Sequence, residues 1–152
     1  MTTYSRESLL DALGHEIVVS PWLEVSQDRI NRFADATDDR QWIHVDPIRA
    51  SGQSPFNTTI AHGFLTLALL APFLTQAVEI AGSTLAINYG LNRVRFVAPV
   101  PAGSRVRARL TPSAIADIPG GFRVTWMATV EREGEDKPAL VAEWIVQYRC
   151  AV

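Results

Sequence analysis

Ala61-His62-Gly63-Phe64-Leu65-Thr66-Leu67-Ala68-Leu69-Leu70-Ala71-Pro72-Phe73-Leu74-Thr75-Gln76-Ala77-Val78 is the stretch that decides the fold of this chain. It contains no Asp, Glu, Lys or Arg, and its apolar residues occupy nearly the whole circumference of a helical wheel, which predicts a helix buried on every side. Such a helix needs other elements wrapped around it. The apolar run from Phe64 to Leu74 is interrupted by Thr66 and Pro72 and falls well short of the ~20 residues that cross a bilayer. It is therefore read as a core helix, with no membrane partner. Pro72 lacks an N–H and crowds the carbonyl four residues back, so it either kinks the helix or tightens its last turns.

Downstream the hydrophobic period changes from helical to alternating. Leu85 to Asn92, Arg93 to Val97, Arg105 to Ile118, Phe122 to Glu133 and Ala139 to Tyr148 are strand-like. Turns are expected at Pro99-Val100-Pro101, Pro119-Gly120-Gly121 and Gly134-Glu135-Asp136. Val124, Trp126, Ala128 and Val130 alternate with Arg123, Thr125, Met127 and Thr129, so one face of that strand can pack on the helix. Helices first and antiparallel strands second make an α+β chain. A long central apolar helix wrapped by an antiparallel sheet of about five strands is the hotdog architecture.

Upstream, Leu9, Leu10, Ala12 and Leu13 mark a short helix over Ser5 to Leu13 that stops at Gly14. An extended piece follows through Trp22-Leu23-Glu24-Val25. Ser26 then caps a helix presenting Ile30, Phe33 and Ala34 on one face. Asp46 and Pro47 open a further helical turn running to Ala50, and Ser51 to Thr59 reads as loop.

A chain of 152 residues with 47% apolar content predicts one domain over residues 1–152, large enough for its own core. The formal charge of −2 and a pI near 5.9 argue against nucleic acid as a partner, because phosphate neutralisation needs a net basic face. Cys150 is the single cysteine, so no intrachain disulfide is available and a reducing compartment suits the chain. The N-terminus has no basic segment followed by an apolar one, and the expected location is the cytoplasm. Arg93 and Arg95 share one strand face, and Arg105, Arg107 and Arg109 share another. Such rows can meet phosphates, but a solvated outer sheet face is the preferred reading.

The chemistry is carried by Asp38-Asp39-Arg40-Gln41-Trp42-Ile43-His44, together with Ala61-His62-Gly63. A carboxylate, an imidazole and a glycine amide at a helix start are the parts needed to move a proton, hold a water and stabilise an enolate-like oxygen. The stretch from Phe33 to His44, with Ala50 six positions after His44, resembles the hydratase motif of the MaoC-like family, the (R)-specific enoyl-CoA hydratases. That motif reads Gly-Asp-x-Asn-Pro-Leu-His followed by Ala or Ser. Asp39, His44 and Ala50 match, while Asp38, Gln41 and Trp42 stand in place of the glycine, asparagine and proline. The Gln-Trp-Ile-His-Val-Asp variant resembles the subgroup of nodulation protein N. Ala61-His62-Gly63-Phe64 and Asn88 to Phe96 extend the likeness over most of the chain.

The resemblance implies an (R)-specific enoyl-CoA hydratase, a hydro-lyase that reversibly converts a trans-2-enoyl-CoA into an (R)-3-hydroxyacyl-CoA. Asp39 would act as general base or acid, and His44 would orient and polarise the water. Gly63 would supply an oxyanion-binding amide, and Gln41 the supporting side-chain amide. His62 either caps the helix or sits near the thioester, with a supporting role preferred. The resemblance also implies an acyl-CoA substrate, a homodimer, and no metal or other cofactor.

Simpler readings stand beside these. Gly63 can serve close helix packing, and Asp46 is most simply a helix cap. Asp39, His44, Asp46 and His62 are possible metal ligands, but their spacing fits no standard pattern. A Gly-x-Ser-x-Gly nucleophile turn is absent, and Gly120-Gly121 lies between strands, where a phosphate loop does not belong. A hotdog acyl-CoA thioesterase and a non-catalytic acyl-thioester-binding protein remain the alternatives, since a fold does not dictate its chemistry.

Overall fold

In a computed structural model that describes residues 1–150, helices dominate the first half and long strands the second. The last two residues of the predicted 1–152 domain lie outside the described residues. In chain order the elements are β1 (Thr2–Tyr4), α1 (Arg6–Asp11), β2 (Val18–Val19), β3 (Leu23–Val25), α2 (Gln27–Thr37), α3 (Trp42–Val45) and α4 (Pro47–Gln53). There follow α5 (Gly63–Ala68), α6 (Leu70–Ala77), β4 (Val78–Ile80), β5 (Ser83–Phe96), β6 (Ser104–Ile118), β7 (Gly121–Arg132) and β8 (Leu140–Cys150).

The main sheet runs β2-β6-β7-β8-β5, with β3 also paired to β6, making six antiparallel strands. Leu85 to Asn92 and Arg93 to Val97, expected as two strands, form the single strand β5, so four long strands together with the short β2 and β3 make the six. β1 and β4 form a separate parallel pair. Neither was legible as a strand, since three residues are too few for a period to show. The Gly120–Gly121 turn is tight: a Cβ on Gly121 would clash with the Tyr148 carbonyl oxygen, so only glycine allows β7 and β8 to approach there.

The sheet curls around α5 and α6, as the hotdog reading requires. Leu65, Leu69, Leu70, Phe73 and Leu74 from the helices meet Val106, Leu110, Val124, Trp126, Val130, Leu140 and Trp144 from the sheet in one core. The alternation in β7 holds, with Val124, Trp126, Ala128 and Val130 all buried. Each fully buried large side chain contributes roughly 1.5–3 kcal/mol of transfer free energy.

Of two expectations for the helical stretch, an interruption by Pro72 is met and burial on every side is not. The run divides at Leu69, which closes α5 and opens α6. Pro72 explains the break: it lies in the first turn of α6, where a missing N–H costs nothing, and its ring excludes a bond to the carbonyl of Ala68. Burial is not all-round. Phe64 is 69% exposed, and Ala68 beside it is exposed too, so the sheet covers one side of these helices and leaves the other open.

The outer sheet face matches the solvated reading of its arginines. Arg105 pairs with Glu133, Arg107 with Glu131 and Arg109 with Glu16. Arg93 and Arg95 on β5 are exposed and form no ion pair among the described residues. Replacing Phe73 by Ala should lower unfolding stability by about 3–5 kcal/mol, read as a fall in the urea midpoint with an unchanged slope.

Candidate active site

Asp39 and His44 owe their positions to how α2 ends. Ser26 caps the start of α2 by accepting from the Arg29 N–H at 3.2 Å. At the other end Asp38 turns left-handed, with φ of 59°. This is the position of the motif glycine, and aspartate is among the few other residues that tolerate that region. Arg40 secures the turn, its guanidinium 2.8 Å from the Asp38 carboxylate and 3.3 Å from that of Asp35.

Gln41 and Trp42 also take positions that the backbone explains. Gln41 is the N-cap of α3, where asparagine is a strong capping residue. The longer glutamine side chain makes no capping bond and is exposed. Gln41 contributes its carbonyl, which accepts from the His44 N–H at 2.9 Å. Trp42 is the first residue of α3, where proline is favoured because its missing N–H has no helical partner. Its ring instead packs under the Arg49 guanidinium, 4.3 Å away. Asp46 caps α4, accepting from the Arg49 N–H at 2.9 Å, and Ala50 is fully buried.

α3 turns His44 inward. The buried imidazole lies with Nδ1 2.7 Å from the carbonyl oxygen of Ile60. A carbonyl only accepts, so Nδ1 carries the hydrogen and Nε2 keeps its lone pair. His62 packs on this ring, with centroids 3.8 Å apart and planes 24° from parallel, and Phe33 covers its flank at 5.0 Å. His62 Nε2 donates to the backbone carbonyl of Asp39 at 2.9 Å, and its Nδ1 is buried without a partner among the described residues. The imidazole thus ties the acidic loop to the start of α5 and makes no side-chain cap there.

Asp39, half-exposed, completes the cluster, with its carboxylate 4.0 Å from His62 Nε2. One polar atom from each of Asp39, His44 and His62 lies within 4.8 Å of the other two. The set has residue types that also occur in metal centres, but two of its four ring nitrogens are already engaged. Nδ1 of His44 and Nε2 of His62 are engaged with backbone carbonyls, which leaves each ring one nitrogen for any ion.

Gly63 opens α5 next to His62, and its N–H has no partner among the described residues. A Cβ at Gly63 would come within 2.9 Å of the Phe96 ring, so the residue also serves close packing. Beside it lies a cleft of about 260 Å³ lined by Phe56, Ile60, Ala61, Gly63, Thr66 and Phe96, among others. The structure thus gathers Asp39, His44 and His62 next to Gly63, and the Gln41 side chain is exposed and makes no capping bond. Sequence reasoning missed the Ile60 carbonyl. A backbone acceptor carries no residue signature, and only the fold brings it against His44.

Residues 9–132 of the chain match the family model described as MaoC like domain. The chain is 53% identical over 148 residues to the 3-hydroxyacyl-thioester dehydratase Z of Mycobacterium tuberculosis, covering 97% of each chain. It is 46% identical over 147 residues to nodulation protein N of Rhizobium meliloti, covering 95% of this chain and 91% of that one. Among solved structures, the unliganded R-hydratase PhaJ1 from Pseudomonas aeruginosa superposes with a TM-score of 0.73 at 22% identity, covering 91% of this chain and 83% of that one. The hotdog architecture is shared with these structures.

Burial holds the His44 imidazole below its ordinary pKa, with the nearby His62 ring acting in the same direction. The bond to Ile60 and the charge of Asp39 oppose this and do not reverse it. Because the folded value lies below the unfolded one, the unfolded chain takes up the proton first as pH falls. Stability associated with His44 should be full above the ordinary value of 6.5 and should decline as pH drops from there through the folded pKa. Urea midpoints measured against pH should show this decline in the parent chain and a shallower one in His44→Gln. The His44 ring resonances should titrate below 6.5.

Proposed function

The chain belongs to the MaoC-like dehydratase family of hydro-lyases, and from that premise we propose that it is an (R)-specific enoyl-CoA hydratase. It adds water reversibly to a trans-2-enoyl-CoA and yields the (R)-3-hydroxyacyl-CoA. The observation that carries this reading is the convergence of the Asp39 carboxylate and the inward-facing His44 imidazole within 4.8 Å. The reading takes the chain as one MaoC-like domain working in the cytoplasm.

In this reaction a water sits between Asp39 and His44. The bare Nε2 of His44 accepts one of its hydrogens and so aims the oxygen at Cβ of the enoyl group. Asp39 takes the other hydrogen as the new C–O bond forms. The alkene electron pair moves toward the thioester carbonyl, whose oxygen gains negative charge, and the unpaired N–H of Gly63 opposes that charge. Asp39 then returns its proton to Cα on the same face. Water has been added across the double bond, and the enzyme is unchanged. His62 supports the arrangement by holding the Asp39 backbone.

The protein is further proposed to act as a homodimer joined through β5. Among the described residues that strand is the edge of the main sheet, with β8 on one side and no strand on the other. Leu85, Ile87, Tyr89, Leu91 and Phe96 are exposed along it, as is Phe64 on the uncovered side of α5. An unpaired apolar edge this long invites pairing with a second copy.

Adding the protein to crotonyl-CoA or a longer enoyl-CoA should abolish the conjugated-enoyl absorbance, and chiral analysis should return the R alcohol. Release of free thiol without alkene hydration would instead indicate the thioesterase. Binding of the acyl-CoA without turnover would indicate the non-catalytic protein. Asp39→Asn and His44→Gln should each lower kcat by ~10²-fold or more while leaving the fold intact. Near-normal turnover in both would remove these residues from the mechanism. Leu85→Lys combined with Leu91→Lys should convert the dimer to monomer in sedimentation velocity.

A further inference from the structure

Gln27 lies at the start of α2 and has no place in the motif, yet its side chain bridges the two segments that hold His44. Its Nε2 donates to the backbone carbonyl of His44 at 2.7 Å and to Asn31 Oδ1, one turn along α2, at 2.9 Å. Its Oε1 accepts from the hydroxyl of Thr59. The amide orientation follows from chemistry: a main-chain carbonyl requires the NH₂ end, which leaves the oxygen facing the hydroxyl. Thr59 is buried, and its own carbonyl accepts from the Ala102 N–H at 2.9 Å, anchoring it to the chain just before β6. The next residue, Ile60, receives the His44 Nδ1–H, and its N–H donates to the Ile43 carbonyl at 3.0 Å.

These bonds close a ring from the His44 backbone through Gln27, Thr59 and Ile60 to the His44 imidazole. We propose that Gln27 and Thr59 are positioning residues that clamp the Ile60 carbonyl against His44 Nδ1 and so keep Nε2 as the free, water-facing nitrogen. Neither residue touches the reacting atoms. Their effect passes through the place of one backbone oxygen. A shift of that oxygen releases the ring to rotate or to exchange tautomers, and either change removes the acceptor that aims the water. Thr59 is buried because its hydroxyl ends this chain of bonds, and Gln27 is half-buried because it spans the seam between α2 and α3.

This inference rests on the role given to His44 above, and the test separates the two. Thr59→Val removes the hydroxyl at nearly constant volume, Thr59→Ser keeps it, and Gln27→Met keeps the length while removing both polar ends. A Gln27→Met/Thr59→Val double variant leaves neither partner of their mutual bond unpaired, which protects folding. The expected result is a fall in kcat of roughly 10-fold or more in both single variants and the double, with KM changed less than about 2-fold. The losses should be non-additive, because the residues act as one unit, and Thr59→Ser should restore turnover. Nitrogen-15 shifts of the His44 ring should report the Nδ1–H tautomer in the parent and Thr59→Ser chains and a mixture in the others. Parent-like turnover and tautomer in Gln27→Met and Thr59→Val, alongside an inactive His44→Gln, would overturn the clamp alone. Normal turnover in His44→Gln would overturn the hydratase reading, while the ring shifts would still decide whether the clamp exists.

Discussion

The candidate site depends on one buried hydrogen bond, from His44 Nδ1 to the carbonyl of Ile60 at 2.7 Å. It joins the short helix after α2 to the extended segment before α5, two stretches that share no secondary structure. The bond also chooses the tautomer, because a carbonyl can only accept. Buried and stacked on His62, the ring has its pKa held below the ordinary value, chiefly by burial, which favours the neutral form with the hydrogen on Nδ1. Both the proposed chemistry and its electrostatics follow from that arrangement.

The departures from the family motif become coherent when read as backbone requirements. Glycine in that motif meets a left-handed residue at the end of α2, and Asp38 adopts the same conformation with Arg40 pinned across it. Proline meets the first position of a helix, where Trp42 fits equally well and gains the Arg49 guanidinium as a neighbour. Asparagine meets the N-cap, where Gln41 retains only the backbone part of the role. Each substitution preserves the path of the chain between Asp39 and His44. The proposed chemistry rests on that path, which sets where Asp39 and His44 lie.

The partly uncovered helices make a different physical point. A hydrophobic wheel reports how much apolar surface a helix carries, and the partner that covers each side lies beyond its reach. In this chain the sheet covers Leu65, Leu69, Leu70, Phe73 and Leu74, while Phe64 and the apolar residues of edge strand β5 face outward together. A groove of about 340 Å³ runs between α6 and β5, lined by Leu74, Val78, Leu85 and Trp144 among others. The uncovered apolar surface is therefore continuous from the helices to the sheet edge.

Much was determined by sequence alone. The strand alternation in β7, the Ser26 and Asp46 caps, the glycine turns and the Asp39/His44 spacing are local, and local period and side-chain chemistry are what a sequence displays. Tertiary structure alone decided the pairing of β1 with β4, the stacking of His62 on His44, and the ring of bonds from Gln27 through Thr59 to Ile60. Those features join residues 16 or more positions apart or depend on backbone atoms that every residue possesses. No periodicity or composition encodes them. They exist because burial of the α5–α6 face against the sheet carries Ile60 and His62 to the end of α2, where most of the buried hydrogen-bonding groups pair with one another.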